Sequence, residues 1–370
     1  SVILRRIDRT ELTSPLSFFL YWILKSEFNR TVAIPQGHFR HELIQLRGIA
    51  RDFFAGEGTV EALEDLMSEF RRKVYAAGSP HDLLHADLVF ACLRLKISNS
   101  SRNLLPIFSG ASVELWEPAL RKETFVKELW PSQRLLGESG VFEGRSAVIQ
   151  MPTSTGKSKS IEIIIRSAFL SGRAKTCVVV APFRALCHEI TDTLRKAFSD
   201  EDVTVNELSD VFQKDFNADE LIETDEFQII SVTPEKLVYV LRQSPDLANE
   251  IGLLILDEGH QFDTGTRGVT FELLVTSLKR LLPVDVQTLL ISAVISNAES
   301  IGEWLLGDQG TIVRDSGLAP AFKTIGFASW TFTQGRIYYV KNEDITQEDF
   351  WVPRVFESTI LELRGRERIE

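Results

Sequence analysis

The sequence has few cysteines and no excess of basic residues. Its three cysteines, Cys92, Cys177 and Cys187, lie far apart and form no C-x-x-C pair. This spacing argues against a disulfide framework or a cysteine zinc site, and it predicts buried apolar thiols in a reducing cytosol. The 41 lysines and arginines are outnumbered by 52 acidic residues, which gives a formal net charge of −11. A surface that attracts nucleic acid would therefore be a local basic groove on an acidic body.

Long hydrophobic runs and a secretion signal are lacking as well. The longest apolar stretch near the start, Phe18 to Leu24, is too short to cross a bilayer, so no membrane is expected as a partner. The 370 residues, 44% of them hydrophobic and 25% charged, suffice for two or three domains with their own cores. Because the sequence starts at Ser1 without methionine and stops in a charged helical pattern, we expect a piece of a longer chain.

Residues 1–115 carry helical signals and are predicted to form an accessory domain. One helix is predicted from apolar residues at helical spacing and is expected to end in a solvated basic turn: Leu63, Leu66, Met67, Phe70, then Arg71-Arg72-Lys73. A second helix is predicted over Pro80–Leu95, closed by the polar stretch Ser98–Ser101. His81 and His85 can share a face of it, and we interpret them as surface or capping residues because no metal-binding pattern surrounds them.

From residue 116 to residue 315 the pattern changes to alternating strands and helices. The predicted strands are apolar: Thr176–Val180, Val203–Asn206, Phe227–Val232, Leu253–Leu256 and Thr288–Ile291. The predicted helices between them are Arg184–Phe198, Pro234–Leu241, Val269–Leu282 and Ala298–Leu306. This alternation predicts an α/β fold, a parallel sheet with helices on both faces that binds ligands at the carboxyl ends of its strands.

Two further segments interrupt or follow this pattern. The acidic stretch Glu207–Glu226 is predicted to be a surface excursion. Residues 316–370 are predicted to be a linker or the start of another domain. Within them, aromatic strands are expected over Thr324–Phe332 and Arg336–Val340, with a turn at Gln334-Gly335.

Residues 146–158 are predicted to form a phosphate-binding loop. An apolar strand, Ala147–Ile149, precedes a loop and a helical pattern that opens at Gly156. In this order, backbone N–H groups face nucleotide phosphates, Lys157 supplies a cation and the Ser158 hydroxyl ligates Mg²⁺. Because Met151 stands where the strict pattern has glycine, a Ser/Thr-rich turn before an ordinary helix stays an alternative on this motif alone. The predicted ATP-binding residues of the loop are Thr153, Ser154, Thr155, Gly156, Lys157 and Ser158.

A second motif directly follows the predicted strand Leu253–Leu256. Asp257 and Glu258 stand there, and phosphate-loop enzymes use such a pair to hold Mg²⁺ and to orient the attacking water. Taken alone, the two acids would be interpreted as a solvated strand end. In one parallel sheet with Lys157, they are predicted to be catalytic, with Ser158 and Asp257 as the ligands of Mg²⁺.

Six motifs follow one another along the middle of the chain: Trp130–Gln133, Met151–Ser158, Ala181–Leu186, Thr233–Leu237, Asp257–His260 and Ser292–Val294. In this order they resemble the first RecA-like domain of superfamily 2 helicases of the DExH group. The resemblance implies that Gln133 reads adenine, that His260 joins the catalytic residues as a relay, and that Ser292 couples the nucleotide to movement. It also implies strand contacts from Pro182, Arg184, Thr233, Pro234 and Lys236.

Two more stretches, Gly265–Gly268 and Asn297–Leu305, resemble the Ski-like branch of this superfamily. The helical N-terminal region and the tail after Gly326 also resemble helicases of this branch that serve in bacterial anti-phage defence, such as the helicase subunit of Hachiman systems. The narrower resemblance implies a coupling role for Arg267, DNA in preference to RNA, and an effector protein subunit as a partner. Four positions depart from the family pattern. Ser154 stands where the family usually has glycine, Phe183 where it often has threonine, and Val294 where it has a hydroxyl-bearing residue. Gly259 makes the Asp257–His260 motif more flexible.

The sequence therefore predicts a cytoplasmic, ATP-dependent helicase that moves along single-stranded nucleic acid by hydrolysing ATP with Mg²⁺. An ATP-switched sensor or scaffold that unwinds nothing is the alternative, and the residues do not decide between DNA and RNA. Catalysis in this family needs an arginine from a second RecA-like domain, so we expect these 370 residues to be an incomplete motor. Arg364–Arg368 superficially resembles that arginine motif but is interpreted as a solvated, charged helix end.

Overall fold

A computed structural model describes most of the chain. The described residues are 12–26, 28, 33–152, 155–208, 226–259, 265–293, 297–307, 310–314, 325–331, 334–341, 344–353, 361–363 and 367–369. Contacts divide the chain into two compact units, Ser1–Leu318 and Ala319–Glu370. No helix in the described part of the chain is long and apolar enough to span a membrane.

The first unit begins with helices that pack around an aromatic-rich core. They are α1 (Pro15–Lys25), α2 (Arg40–Phe54), α3 (Val60–Ala77) and α4 (Pro80–Ser98). Helix α4 starts where the sequence places it, because the Ser79 hydroxyl accepts from the Asp82 N–H and the Asp82 carboxylate accepts from the Ser79 N–H. The core of these helices includes Phe19, Phe28, Leu46, Phe53, Leu63 and Met67.

Helix α3 does not end at the predicted basic turn. It continues past Lys73 to Ala77, because Val74 is buried in the helical core and extends the apolar stripe by another turn. Arg71 is therefore not in the last turn of the helix, although its side chain is exposed. Its Nε donates to Asp87 Oδ1 of α4 at 2.7 Å. The rings of His81 and His85 lie 4.1 Å apart on one side of α4, and His81 is exposed. Their interpretation as surface or capping residues stays a prediction.

Helices α5 (Ser101–Ser109) and α6 (Val113–Arg121) pack differently from the four before them. Leu105 and Trp116 belong to the apolar core that also covers the sheet, whereas Ile97 belongs to the helical core. The apolar core thus changes between Ile97 and Leu105. The predicted division of the chain at residue 115 stays a prediction.

A seven-stranded parallel sheet forms the rest of the first unit. Its strands are ordered β3-β4-β2-β5-β6-β1-β7, and every adjacent pair is parallel. The elements are α7 (Pro131–Glu138), β1 (Ala147–Gln150), α8 (Lys157–Leu170), β2 (Thr176–Val180), α9 (Arg184–Ala197), β3 (Val203–Leu208), β4 (Phe227–Val232), α10 (Pro234–Gln243), α11 (Leu247–Glu250), β5 (Ile251–Asp257), α12 (Gly265–Leu281), β6 (Gln287–Ser292), α13 (Ala298–Leu306) and β7 (Thr311–Val313).

Both faces of this sheet are buried, which explains its mostly apolar strands. Successive residues alternate between two cores: Ile149, Val179, Ile255 and Leu289 lie in one, and Val148, Val178, Leu254 and Leu290 in the other. Residues of α5–α9 contribute to the first core and residues of α10–α13 to the second. The predicted α/β fold with a parallel sheet and a mainly helical N-terminal region is confirmed. Most of the predicted acidic excursion, residues 209–225, lies outside the described residues.

The second unit contains antiparallel strands. One sheet consists of β8 (Ile325–Thr331), β9 (Gln334–Lys341) and β10 (Asp344–Pro353), and β11 (Leu361–Leu363) pairs with β12 (Glu367–Ile369). The predicted turn at Gln334-Gly335 was wrong, because both residues belong to β9 and pair with Thr331 and Trp330. The charged helix end predicted around Arg368 was also wrong, since Arg368 pairs with Glu362 in a strand. Arg364–Arg366 lies outside the described residues.

Candidate nucleotide-binding site

The predicted phosphate loop leads from β1 into the 14-residue helix α8. Gly156 caps this helix in a left-handed conformation with φ of 88°, which glycine adopts without strain. The Thr155 hydroxyl donates to the Pro152 carbonyl at 2.7 Å and closes the turn. The N-terminus of α8 therefore opens directly at the carboxyl edge of the sheet, an arrangement that suits phosphate. Thr153 and Ser154 lie outside the described residues.

Lys157 lies between the two acids that end β5. Its Nζ donates to Glu258 Oε1 at 2.6 Å and also forms an ion pair with Asp257 Oδ1. The Asp257 carboxylate is nearly buried and also accepts the Glu258 N–H at 2.9 Å. Three of the four predicted catalytic residues thus form one hydrogen-bonded cluster, although Lys157 precedes the two acids by about one hundred residues.

Two features show that this cluster is not an ordinary strand end. Burial raises the pKa of Asp257 above its usual range, and the Lys157 ammonium opposes that rise. Glu258 has φ of 57°, a left-handed conformation that costs a non-glycine residue about 1–2 kcal/mol. Such strain persists only where surrounding contacts maintain it, and it is frequent at functional sites.

A cavity of about 140 Å³ lies against this cluster. Lys157, Ser158, Asp257 and Glu258 line it on one side, and helix α9 lines the other. Two polar residues of α9, Glu189 and Thr193, face the same cavity and were not predicted from the sequence. Their four-residue spacing places both on one side of α9, but that pattern carries no signal of a site until the helix is placed over the loop.

The predicted adenine-reading segment is attached to the phosphate loop. The Ser132 hydroxyl donates to the Thr155 carbonyl at 2.8 Å, and the buried Gln133 side chain accepts the Trp130 N–H at 2.9 Å. A Cβ atom on Gly156 would lie 3.3 Å from Gln133 Nε2 and 3.4 Å from the Trp130 ring. Trp130, which is 52% exposed, therefore has its ring beside the loop at Gly156.

Strand β6 connects the loop with the predicted coupling residue. The Met151 N–H donates to the Ser292 carbonyl at 2.8 Å, and both residues are buried. Met151 fills the apolar core where the usual pattern has glycine.

At Gly259, a Cβ atom would come within 2.8 Å of the Leu290 side chain. Close packing therefore requires glycine there as well, which the sequence did not indicate. His260 and Val294 lie outside the described residues, and Arg267 lies in the first turn of α12.

The predicted strand-contacting segments follow β2 and β4, which are neighbours in the sheet. The Ala181 N–H donates to the Val232 carbonyl at 3.0 Å, and the Ser231 hydroxyl donates to the Cys187 carbonyl at 3.2 Å. Arg184 is exposed in the first turn of α9, next to the half-buried Pro182. Thr233, Pro234 and Lys236 are buried, and the Lys236 amine lies 5.3 Å from the ring centre of Tyr239. Their roles in strand binding stay predictions.

Known proteins are similar in sequence to this part of the chain. Residues 131–301 match the DEAD/DEAH box helicase family. The chain is 29% identical over 248 residues to the Hachiman protein HamB of Bacillus cereus, and this alignment covers 67% of this chain and 22% of HamB. It is 30% identical over 194 residues to the ATP-dependent DNA helicase Hel308 of Thermococcus kodakarensis, and this alignment covers 52% of this chain and 16% of Hel308. The DUF1998 helicase MrfA, solved with DNA and AMPPNP, aligns with a TM-score of 0.45 and 21% identity over 55% of this chain and 29% of MrfA.

The alignments with HamB and Hel308 span about a fifth of those proteins or less, at 22% and 16% of their lengths. The family match covers the segment from Pro131 to Ile301, which contains the phosphate loop, the Asp257-Glu258 pair and Ser292. By this match and by the arrangement of those motifs around one parallel sheet, residues 131–301 are similar to the DEAD/DEAH box helicase domains of superfamily 2.

Proposed function

We propose that this domain hydrolyses ATP and uses the energy to move along a single strand of nucleic acid. The observation that carries the proposal is the cluster of Lys157, Asp257 and Glu258 at the N-terminus of α8. A cation, two carboxylates and a helix N-terminus at one sheet edge are the elements that phosphoryl transfer requires. The similarity to Hel308, an ATP-dependent DNA helicase by name, supports the same activity.

ATP would bind with its phosphates at Gly156 and Lys157 and its base near Gln133. For this, Lys157 exchanges at least one carboxylate partner for phosphate oxygen, so the ammonium acts as a counter-ion of the acids before it acts on the nucleotide. The exposed Trp130 beside Gln133 suits contact with adenine. Thr153, Ser154 and Thr155 belong to the proposed loop as well.

The donors present suit Mg²⁺. The Ser158 hydroxyl and the Asp257 carboxylate line the same cavity and offer hard oxygen ligands. Mg²⁺ generally binds through one or two protein oxygens together with substrate phosphates, so a small protein donor set is adequate. Bound there, the ion would supply charge neutralisation at the phosphates.

Glu258 would orient the attacking water and accept its proton. Its left-handed backbone keeps it beside Lys157 and off the direction of β5. His260 would relay the nucleotide state, and Ser292 and Arg267 would couple it to movement. Loss of a general base typically costs about 10²–10⁴ in rate, which sets the scale of the test below.

The substrate is proposed to be a single strand, with DNA favoured over RNA. Pro182, Arg184, Thr233, Pro234 and Lys236 would hold its backbone through phosphate contacts that tolerate any base sequence. Support for DNA comes from the similarity to Hel308, a DNA helicase by name. The similarity to the Hachiman protein HamB supports the proposed role in anti-phage defence with an effector subunit. All three cysteines are free thiols, which supports the proposed cytoplasmic location.

The domain boundaries belong to the proposal too. Residues 1–115 would be an accessory domain, residues 116–315 the ATPase domain and residues 316–370 a linker or the start of another domain. A second RecA-like domain would supply an arginine to the γ-phosphate, a contribution worth roughly three to five powers of ten in rate elsewhere. The described part of the second unit consists of antiparallel strands and does not supply such a domain.

The rival proposal is an ATP-switched sensor or scaffold that unwinds nothing. The burial of Lys236 favours it, since a buried amine contributes little to phosphate binding unless it moves. Steady-state ATP turnover measured with and without single-stranded DNA separates the two functions. Turnover stimulated by the strand supports the motor, whereas ATP binding with unstimulated turnover supports the switch.

Variants of the cluster test the chemistry. Glu258→Gln should keep ATP binding and lose hydrolysis by about a hundredfold or more, and Lys157→Ala should lose ATP binding itself. Lys159→Ala is the matched control, because Lys159 lies on the same helix but bonds to Glu162 and to the Thr124 carbonyl. Near-normal turnover in Glu258→Gln, or unchanged ATP affinity in Lys157→Ala, would contradict the proposed roles.

A further inference from the structure

Phe183 lies in the middle of the predicted strand-contacting surface, and its position is well defined. It caps α9 with an extended backbone, φ −134° and ψ 145°, and its carbonyl accepts the Cys187 N–H at 3.0 Å. The residues around it are held by the bond from Ala181 to Val232 described above. Local backbone contacts therefore keep Phe183 at the carboxyl edge of the sheet.

The Phe183 side chain remains 40% exposed. It belongs to neither of the two apolar cores of the sheet, although Ala181 and Cys187 next to it are fully buried. Single exposed apolar residues are common on protein surfaces and need no explanation by themselves. Phe183 differs from these because it occupies a segment whose expected partner is a charged polymer, at a position where a hydroxyl-bearing threonine was expected.

Phosphate binding alone explains this surface poorly. A phenyl ring cannot donate to a phosphate, the Lys236 side chain is only 4% exposed, and the chain carries a net charge of −11. Arg184, the next residue along the chain, is exposed as well. An aromatic ring next to a cation is the combination that proteins use to hold unpaired bases, by stacking on the base while the cation contacts the backbone.

We propose that Phe183 stacks on a base of the bound strand, so that this surface recognises unpaired bases as well as phosphates. The inference rests on the proposed function, since it assumes that a strand binds along this edge. It adds that the ligand must present accessible bases, as a single strand does and a duplex does not. Sequence preference stays weak, because every base has a face that can stack.

The test compares an ordinary single-stranded oligonucleotide with one of equal length and charge that has abasic sites in its central part. Binding of both to the intact protein is measured by fluorescence anisotropy. Phe183→Leu, which keeps an apolar side chain but removes the ring, should weaken binding of the ordinary strand about fivefold to a hundredfold. It should change binding of the abasic strand less than twofold, and Phe183→Trp should bind the ordinary strand at least as well as the parent.

Two controls accompany these variants. Tyr75→Leu removes a similarly exposed ring from α3 and should leave strand binding unchanged. ATP affinity of Phe183→Leu should equal that of the parent, which shows that the nucleotide site is intact. The dependence of binding on salt should also match, because the number of phosphate contacts is the same.

The inference is overturned if Phe183→Leu binds the ordinary strand as the parent does, or if it loses equal affinity for both strands. Equal loss would mean that the ring only supports the shape of the loop. Failure of the parent protein to bind any strand is a different result: it contradicts the proposed strand-dependent function itself, and this inference with it.

Discussion

Replacing Gly259 with alanine is expected to destabilise this protein, although such a change at a residue without positive φ ordinarily stabilises by about 0.4–1 kcal/mol. A Cβ atom there would lie 2.8 Å from two carbons of Leu290 and 3.3 Å from a third. Carbon atoms pack best about 3.5–4.0 Å apart, so Leu290 would have to move by roughly 0.7 Å. Because Leu290 is fully buried, we expect an overpacking cost of about 1–3 kcal/mol.

A double-mutant cycle separates packing from backbone flexibility. Leu290→Ala removes the three carbons that a methyl group on residue 259 would meet, and alone it should cost about 2–5 kcal/mol through the cavity that it leaves. In that background, Gly259→Ala should cost nothing or stabilise, since its methyl group partly fills the cavity. The coupling energy between the two sites should therefore reach about 1–3 kcal/mol.

Urea unfolding of the parent, both single variants and the double variant measures this coupling, provided that the dependence on urea stays equal among them. ATP affinity measured in parallel shows whether the strain reaches Asp257 and Glu258, which directly precede Gly259. Equal effects of Gly259→Ala in both backgrounds would refute the packing argument. If Gly259→Ala stabilised the parent instead, the main effect of Gly259 would be backbone flexibility rather than close packing.

Two further predictions concern the phosphate loop and a buried lysine. Gly156→Ala should weaken ATP binding, because alanine is strained at φ of 88° and its methyl group would crowd Gln133. Gly172→Ala is the control: residue 172 has φ of 69° and a Cβ atom there would meet no atom within 4 Å, so the change should cost stability but leave ATP affinity unchanged. Equal ATP affinities in both variants would contradict this. Burial lowers the pKa of Lys127 to about 8 from 10.5. The unfolded chain then binds more protons than the folded one between these values, so stability rises with pH there. Relative to Lys127→Met, the parent should gain up to about 3 kcal/mol over this range, and a pH-independent difference in urea unfolding would count against it.

The sheet could be predicted from the sequence because burial on both faces leaves a local pattern. Strands that are mostly apolar and almost entirely buried, such as Thr176–Val180 and Phe227–Val232, were predicted with their observed bounds. The positions of Lys157, Asp257 and Glu258 followed from the same logic. Asp257 ends β5, Glu258 follows it, and Lys157 opens the helix that follows β1 and its loop. Helix α3 was predicted too short because its last turn depends on the burial of Val74 against other helices, which no local pattern records.

Contacts between distant segments explain what the sequence could not predict at the site. Glu189 faces the cavity only because α9 packs over the loop. Lys236 is buried because it lies in the first turn of α10, which starts at the buried Pro234. The flexibility expected at Gly259 gave way to close packing, since Leu290 lies on a different strand. In each case the residue type was visible in the sequence but its neighbour was not.

These contacts also connect the two halves of the proposed nucleotide site. Strand β6 lies between β5 and β1, with Ile291 paired to Asp257 and Ser292 paired to Gln150. Leu290 packs against Gly259 on one side, and the Ser292 carbonyl accepts the Met151 N–H on the other. A displacement at Glu258 can therefore reach the phosphate loop through the backbone and core packing of one strand. Such a connection needs no side-chain hydroxyl, so the valine at position 294 is compatible with a coupled site.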